Sequence, residues 1–302
     1  MDDLVGAGKA LEKLIGAIQA GTGVLYKPRA IRKEAEAEAY KTKLIGEAQA
    51  EVEAAKVVAL AKAEASAKII SAEVEQDLIE RMQMRIFQKE VNRQQNIESI
   101  SEIAIKELPK DVSDEPVDKD WLTRYFNIAE DVSEEEMQKV WGKLLAGEVS
   151  QPGSYSIRTL EVLKNLNQYE ATVFQKFCQF TFSEFVYDNK ELLEKHGIQF
   201  NDIMLLRAAG LLLNMDDIVV ASVKEGKKYK YQGIKCIFLN FTKLHVMPLS
   251  LEGIQLKELI EPLPNFEYVR DLAKALKKEG GDFKKIITSN NGGIVSEKYV
   301  DF

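Results

Sequence analysis

Two cysteines and two histidines are the residues best suited to covalent or metal chemistry. Cys178 and Cys236 each stand among apolar neighbours, in QKFCQF and IKCIFL, which is typical of buried free thiols in a reducing compartment. His196 and His245 have no cysteine, aspartate or second histidine at a metal-ligand spacing, so both are predicted to be structural. We therefore expect no metal site and no cofactor.

The acidic residues and short motifs do not indicate a reaction either. Two carboxylate clusters occupy a proline-bounded linker and the first turn of a helix, where solvation and the helix dipole account for them. They are Asp114, Glu115 and Asp118, and Glu134, Glu135 and Glu136. The sequence has no phosphate loop, dinucleotide fingerprint, nucleophile elbow or metalloprotease signature. These observations predict a protein that is not an enzyme and has no catalytic residues.

Composition limits the classes of partner and the compartment. A chain of 302 residues that is 45% hydrophobic can form two or three folded units. A formal charge of -7 argues against a surface that binds nucleic acid over the whole molecule. No apolar run approaches the ~20 residues that span a bilayer, and the N-terminus MDDLVGAGK is acidic, unlike a signal peptide. We expect a cytoplasmic protein, with a peripheral position at the inner membrane as an alternative.

The stretch at residues 34–75 alternates small and charged residues. Alternation with period two can indicate a strand, but alanine, glutamate and lysine are strong helix formers and poor strand formers. Pro28 lies at the start of this stretch, and no proline recurs before Pro109. The sequence therefore predicts a long Ala/Glu-rich helix within residues 29–108, with a break or bend at the polar residues 91–96.

A helix this long cannot bury itself, so we expect it to pack on copies of the same chain. Its large apolar residues follow no sustained heptad, and their recurrence at eleven to twelve residues favours straight or right-handed coiled packing of many helices side by side. The predicted oligomerisation residues are Leu44, Ile45, Val57, Val58, Ile69 and Ile70. Residues 35–65 resemble the helices of stomatin, prohibitin and flotillin family proteins, in which neighbouring subunits line up such helices. The resemblance implies a homo-oligomer in the form of a ring or a cage wall.

Residues 1–28 form a separate amphipathic segment. Its apolar residues recur at helical spacings, and they are Leu4, Leu11, Leu14, Ile15 and Ile18. One interpretation is a helix whose small residues allow close packing on another subunit. The alternative is an interfacial membrane helix with a basic flank. The first interpretation is preferred because the polar face is not strongly cationic.

A compact helical module is predicted at residues 109–166, with Trp121 and Trp141 in its core. Ser133 and Glu136 predict a capping box at the start of one helix. After the proline-bounded linker, we expect the remaining segments to build their own core without help from the N-terminal residues.

The motif at residues 141–166 resembles an uncharacterised bacterial domain-of-unknown-function family and, more distantly, the Abi-alpha abortive-infection family. The matching positions are Trp141, Lys143, Leu144, Glu148, Ser156, Arg158, Thr159 and Leu160. The interpretation preferred for Arg158 is an ion pair with a carboxylate such as Glu148 or Glu161. The alternative is contact with an anion or a nucleotide.

Residues 167–302 resemble a winged-helix domain. Asn167 with Glu170 begins one helix, and Asn201 is predicted to cap the next. Two strands, IVVAS and YKYQGIKCIFLNF, flank a turn, and a further helix follows. The motif LSLEGIQL carries the resemblance through Leu249, Ser250, Gly253 and Leu256.

The candidate recognition helix of this domain has few side chains that could contact DNA. Arg207 is its single cation, and its leucines indicate that it is buried, whereas the basic residues are in the wing. They are Lys224, Lys227, Lys228 and Lys230. A DNA reader needs cations and amides on the recognition helix, so a protein-binding or structural winged helix is preferred.

The expected fold class is mainly α with a small α+β part. It comprises a long N-terminal assembly helix, a compact helical module and a C-terminal winged-helix-like domain. The expected function is that of an oligomeric bacterial interaction protein that binds itself and another protein. The Abi-alpha resemblance implies a role in antiviral defence by abortive infection. The alternatives are a winged-helix DNA-binding regulator and a membrane-surface scaffold or membrane-disrupting effector.

Overall fold

The computed structural model describes residues 2–24, 26, 46, 50, 53–58, 72–214, 220–222, 228–240, 243–260, 262–291 and 294–302. The chain divides into two compact units, residues 1–154 and 155–302. The expected fold class, mainly α with a smaller α+β part, is confirmed. The division falls inside residues 109–166, the segment in which a single helical module was expected.

The described part of the first unit is helical. Its helices are α1 (Asp2–Thr22), α2 (Ala72–Glu107), α3 (Lys119–Ala129) and α4 (Glu135–Ser150). Trp121 and Trp141 are both buried, as predicted. The Tyr125 ring stacks on Trp121 at 5.1 Å between centroids, and its hydroxyl donates to the Trp141 carbonyl oxygen at 2.8 Å. The aromatic residues of α3 and α4 therefore form one buried cluster.

The start of α4 corrects one prediction. Glu134, not Ser133, is the N-cap, and its carboxylate accepts from the backbone N–H of Met137 at 2.8 Å. A carboxylate at this position also interacts favourably with the positive end of the helix dipole. The helix therefore begins at Glu135, one residue later than the capping-box pattern indicates.

The predicted break of the long helix at residues 91–96 is wrong, because α2 runs through them as one helix, whereas the alternative of a bend stays a prediction. The polar side chains at this point find partners outside the helix. Arg93 makes a bidentate contact with Asp131, at 2.8 and 3.1 Å, and Asn96 donates to the Glu130 carbonyl oxygen at 2.8 Å. Tertiary hydrogen bonds therefore stabilise a stretch whose helix propensity is only moderate.

Helix α1 packs into the same unit. Leu14 and Ile18 are buried, and a Cβ at Gly21 would collide with the Phe126 ring of α3. The linker after Pro109 is part of this packing, because Lys13 Nζ donates to the Ser113 carbonyl oxygen at 2.7 Å. The later segments therefore do not build their core alone, contrary to expectation.

The second unit combines helices with two small sheets. Its helices are α5 (Ile157–Asn165), α6 (Gln168–Cys178), α7 (Lys190–Lys195), α8 (Phe200–Ala208), α9 (Leu251–Ile260) and α10 (Phe266–Lys278). Its strands are β1 (Phe185–Tyr187), β2 (Val220–Ser222), β3 (Lys228–Tyr231), β4 (Ile234–Leu239), β5 (Lys243–Pro248), β6 (Asp282–Asn291) and β7 (Ile294–Val300).

Two helix starts in this unit were predicted from sequence, one correctly. Asn167 and Glu170 form the predicted capping box at α6, with reciprocal bonds of 2.9 Å. The start of α8 lies earlier than the predicted cap at Asn201, since the Asp202 carboxylate accepts from the Gln199 N–H at 2.8 Å. Phe200 and Asn201 therefore lie inside the first turn.

The first sheet has the strand order β1-β5-β2, with both pairings antiparallel. Helix α6 precedes β1, helices α7 and α8 follow it, and β2 and β5 complete the sheet. Strand β2 lies within the predicted strand IVVAS, but it pairs with β5 and not with the segment YKYQGIKCIFLNF, contrary to the predicted wing.

The second sheet corrects the prediction for the wing. The segment expected to be one strand is a hairpin of β3 and β4, which joins β6 and β7 in the order β3-β4-β6-β7. Gln232 and Gly233 form the turn, with φ of 44° and 80°. Two left-handed residues in a two-residue loop match the twist of antiparallel strands, so the chain reverses there.

Aromatic side chains fill the core of the second unit. The Phe182 ring lies 5.0 Å from Tyr231, Phe180 lies 4.6 Å from Tyr268, and Phe238 lies 4.7 Å from Phe283. These residues come from the loop after α6, from β3, β4 and β6, and from α10. The cluster therefore holds the second sheet against the helices.

Candidate interaction surfaces

The two cysteines are buried free thiols, as predicted. Burial raises the pKa of the Cys236 thiol to about 12 and that of Cys178 well above its ordinary value. Nucleophilic attack requires a thiolate, which neither residue forms near neutral pH. Both cysteines therefore contribute to packing.

Of the two histidines, His196 has structural surroundings. The Asp271 carboxylate on α10 lies 3.2 Å from His196 Nε2 and 2.6 Å from Lys195 Nζ. Hydrogen bonds from Lys195, Lys274 and His196 lower the pKa of Asp271 to about 2 against the opposing effect of desolvation. His245 is exposed on β5. The described residues contain no group of three His, Cys, Asp or Glu side chains that could hold a metal ion.

Lys257 is a further titratable group, which the sequence did not indicate. Its ammonium donates to the carbonyl oxygen of Ser183, a residue with a positive φ of 54°. Burial lowers the pKa of Lys257 despite nearby carboxylates. The contact fixes the loop before β1 to α9, which is a structural role.

The motif serine and threonine connect α5 to α9. Ser156 caps α5 by accepting from the Thr159 N–H at 3.2 Å, and the two hydroxyls lie 3.0 Å apart. The Gln255 side-chain oxygen accepts from the Ser156 N–H at 3.0 Å and from the Thr159 hydroxyl. These motif positions therefore build the fold.

The winged-helix motif also has a structural role. The Ser250 hydroxyl donates to the Gly210 carbonyl oxygen at 2.6 Å and accepts from the Gly253 N–H at 2.9 Å. A Cβ at Gly253 would collide with the Leu211 carbonyl oxygen. Leu249 and Leu256 are buried. The motif therefore docks the start of α9 against the end of α8.

The remaining motif residues differ in exposure. Trp141 is buried, Lys143 is partly buried, and the buried Glu148 carboxylate accepts from the Gly153 N–H at 2.7 Å. Arg158 is exposed and makes no ion pair in the described residues of its own unit. The predicted pair with Glu161 is therefore absent there, because Glu161 faces Lys164 at 3.9 Å.

Helix α8 is not buried on all sides, which corrects another prediction. Phe200 and Met204, four residues apart, are 53% and 45% exposed, and Ala208 continues the same exposed row. Arg207, its one cation, is partly buried. The exposed residues of α8 also include Asn201, so its exposed face is mainly apolar.

The predicted basic wing is only partly within the described residues. Lys224 and Lys227 lie outside them, whereas Lys228 pairs with Glu297 at 2.6 Å. Lys230 lies directly opposite Lys235 in the hairpin, and both are exposed.

The predicted oligomerisation residues are only partly within the described residues. Leu44, Ile45, Ile69 and Ile70 lie outside them. Val57 and Val58 lie in a helical segment and are exposed. Further along the chain, α2 exposes Leu78 and Met84, by 45% and 68%. Sequence reasoning missed Met84 because apolar spacing alone does not separate it from its partly buried neighbours Met82 and Ile86.

The candidate contact residues of α1 are distributed differently. Leu14 and Ile18 are buried inside the first unit, and Leu11 and Ile15 are partly buried. The side chain of Leu4 lies outside the described residues. Leu14 and Ile18 therefore face their own unit and not a membrane or a second subunit. Among the described helices, none combines the length and apolar character that crossing a bilayer requires.

Comparison with known proteins places most of this architecture in one family. A family profile described as "Protein of unknown function (DUF2806)" matches residues 80–273, from α2 to α10 and more than half of the chain. No curated protein and no solved structure matches the chain. The expected membership of a domain-of-unknown-function family is thus confirmed: the chain belongs to the DUF2806 family.

Proposed function

We propose that this protein is a non-enzymatic interaction protein of the bacterial cytoplasm that associates with further copies of itself through its long helical region. The observation that carries the proposal is the exposure of Leu78 and Met84 on α2. Removing apolar side chains from water is favourable by about 25 cal/mol per Å² of apolar surface, which offsets part of the entropy that association costs.

The surroundings of this part of α2 support the proposal. Between residues 76 and 92, the side-chain hydrogen bonds within the described residues join positions three or four apart on the same helix, such as Gln76 to Glu80 and Gln88 to Asn92. A helix gains most of its stability from packing an apolar face on a neighbour. Ile79 is buried, but the side of this segment that exposes Leu78 and Met84 has no covering surface within the described residues. The resemblance of residues 35–65 to helices that line up between subunits favours a second copy as that surface.

A protein-binding role of the second unit is part of the proposal. The exposed row on α8 presents Phe200 and Met204 where a DNA-reading helix would present cations. This favours a protein partner over DNA. Binding to DNA that weakens steeply with salt would support the regulator instead.

An antiviral role is also proposed, and it rests on the Abi-alpha resemblance of residues 141–166. Plaque counts of bacteriophages on cells with and without the gene test it. Equal counts across a diverse phage panel would contradict this role without affecting the proposal of self-association.

Light scattering of the full chain tests self-association. We expect a mass above that of one chain at micromolar concentration, and a lower mass for Leu78→Gln with Met84→Gln. The matched control is Phe200→Gln with Met204→Gln, which removes similarly exposed apolar groups from the second unit. A monomeric full chain, or a double variant at 78 and 84 of unchanged mass, would contradict the proposal.

A further inference from the structure

Two lysines face each other across the hairpin of β3 and β4. Lys230 lies directly opposite Lys235, and both side chains are exposed. Neither lysine forms an ion pair within the described residues, whereas Lys228, on the same strand as Lys230, pairs with Glu297 at 2.6 Å. Like charges at directly opposite positions of neighbouring strands destabilise a sheet. The hairpin therefore contains a repulsive contact for which the described residues provide no carboxylate partner.

The backbone of Lys230 brings the two side chains close together. Its N–H donates to Ser183 Oγ at 3.2 Å, and its carbonyl oxygen accepts from the Ser183 N–H at 2.8 Å. Both backbone groups therefore point away from β4, so Lys230 and Lys235 form a non-hydrogen-bonded pair. In such a pair the opposite Cα atoms are only about 4.5 Å apart, and the side chains are closer than elsewhere in the ladder. Ser183 thus holds the two charges side by side.

The other lysines of this sheet do not extend the pair into a longer basic track. Lys228 and Lys284 each pair with a carboxylate, at 2.6 and 3.0 Å. Lys285 and Lys298 lie on the other face of the sheet, because side chains alternate along paired strands. A nucleic acid backbone is bound by several uncompensated cations in succession. The lysine pair therefore suits one or two carboxylates better than a run of phosphates.

We propose that Lys230 and Lys235 bind a carboxylate-bearing segment of a protein partner. A glutamate or aspartate side chain of the partner lies between the two ammonium groups, and its oxygens accept a hydrogen bond from each. This arrangement adds two attractive contacts to the one repulsive contact, so the complex offsets a repulsion that remains in the free chain. The site belongs to the second unit and does not depend on the self-association proposed through α2.

Binding of a fluorescent hexaglutamate peptide to the full chain at low ionic strength tests the site. Lys230→Gln with Lys235→Gln should weaken binding roughly three- to tenfold, because two charge-assisted contacts are lost. The matched control is Lys277→Gln with Lys278→Gln, which removes the same charge from two exposed neighbouring lysines of α10 and should change binding far less. Equal weakening by the two pairs of substitutions, or no binding by the wild-type chain, would overturn the proposal.

A thymidylate oligonucleotide of similar charge is the second probe. We expect it to bind more weakly than the peptide, since its phosphates find only one pair of uncompensated lysines. Tighter binding of the oligonucleotide that is lost with Lys230→Gln and Lys235→Gln would make the site a nucleic-acid contact and would overturn the proposal.

Hydrogen exchange of the free chain tests the repulsion itself. Lys230→Gln should slow the exchange of hairpin amides, such as those of Tyr229 and Cys236, roughly two- to fivefold, because it removes a like-charge pair. Lys277→Gln, outside the hairpin, should leave these rates unchanged. The same exchange rates in Lys230→Gln and in the wild-type chain would show that the two ammonium groups do not face each other, and the proposed site would be rejected.

Discussion

In the second half of α2, Ile97, Ile100 and Ala104 are buried, whereas the first half buries Ile79 but exposes Leu78 and Met84. Helix α4 accounts for the difference. Gln138 of α4 donates to Asn96 at 3.1 Å, and Gly142, one turn later, faces Ile100 and Ile103. Helix α4 therefore runs in the same direction as α2, and its covering of α2 begins near Asn96.

The comparison shows what determines the role of an apolar residue on a long helix. Both halves carry isoleucine, leucine or methionine at helical spacings, so the sequence pattern alone does not separate them. The two halves differ in the surface that packs on them. For the second half, this surface is a neighbouring helix of the same unit. We propose that it is a second chain for the other.

The largest expected effect is on α4, the helix that covers the second half of α2. Trp141→Ala should lower the free energy of unfolding of the first unit by about 3–5 kcal/mol, because it removes a fully buried aromatic side chain. Both tryptophans of the chain, Trp121 and Trp141, lie in the first unit, so the fluorescence of the remaining Trp121 reports its unfolding in urea. An unchanged urea midpoint would show that α4 is not part of the core.

A pair of substitutions compares the two halves directly. Ile100→Ala should cost about 2–5 kcal/mol, since Ile100 is fully buried. Leu78→Ala should change the stability of the dissociated chain by less than about 0.5 kcal/mol, because Leu78 is exposed. Urea titrations at a concentration where the chain is monomeric measure both. Equal losses of unfolding free energy in the two variants would contradict the distinction between the two halves of α2.

Gly142 tests how closely α4 approaches α2. A Cβ at this position would lie 2.5 Å from Ile103 Cγ2 and 3.1 Å from the Ile100 carbonyl oxygen. Gly142→Ala should therefore destabilise the first unit by about 1–3 kcal/mol through overpacking. Gly16→Ala in α1, where no atom lies within 4 Å of the new Cβ, should instead stabilise it by about 0.5–1 kcal/mol through helix propensity. A stabilising Gly142→Ala would contradict the close approach.

The smallest expected effect lies where the two halves meet. Arg93 bonds to Asp131 outside α2, whereas Arg81 pairs with Asp77 on α2 itself. Arg93→Gln should therefore lower the free energy of unfolding by about 1 kcal/mol at pH 7. Arg81→Gln should leave the free energy of unfolding of the monomeric chain almost unchanged.

The effect of Arg93 should also depend on pH. Its hydrogen bond lowers the pKa of Asp131, so the stabilisation is complete above the unfolded value of about 3.9 and is lost as the pH falls through the lowered pKa. The difference between the unfolding free energies of the two chains should narrow as the pH falls from 7 to 3. A constant difference would show that the pair with Asp131 does not carry the effect.

Features set by nearby residues could be predicted from the sequence. The capping box at Asn167 and Glu170 depends on two hydrogen bonds between residues three apart, so the local pattern suffices. The buried state of both cysteines and both tryptophans followed from their apolar neighbours. The hairpin turn at Gln232 and Gly233 was missed because glutamine is not a usual left-handed turn residue.

Features that depend on distant contacts could not be predicted in the same way. The polar residues 91–96 resemble a helix break, but their partners Glu130, Asp131 and Gln138 lie about 40 residues further along the chain. The contact of His196 with Asp271 spans 75 residues. Deletion of residues 1–90 would be a poor test of assembly for the same reason, since it removes α1, whose Leu14 and Ile18 are buried in the first unit.

Hydrogen exchange along α2 at several protein concentrations separates the half that α4 covers from the half that we propose a second chain covers. Amides at residues 97–107 should exchange slowly at every concentration, because α4 covers them. Amides at residues 76–90 should exchange rapidly in dilute, monomeric samples and slowly once light scattering detects the oligomer. Exchange at residues 76–90 that stays the same while the mass increases would show that association uses another surface, and this result would contradict the proposed self-association through α2.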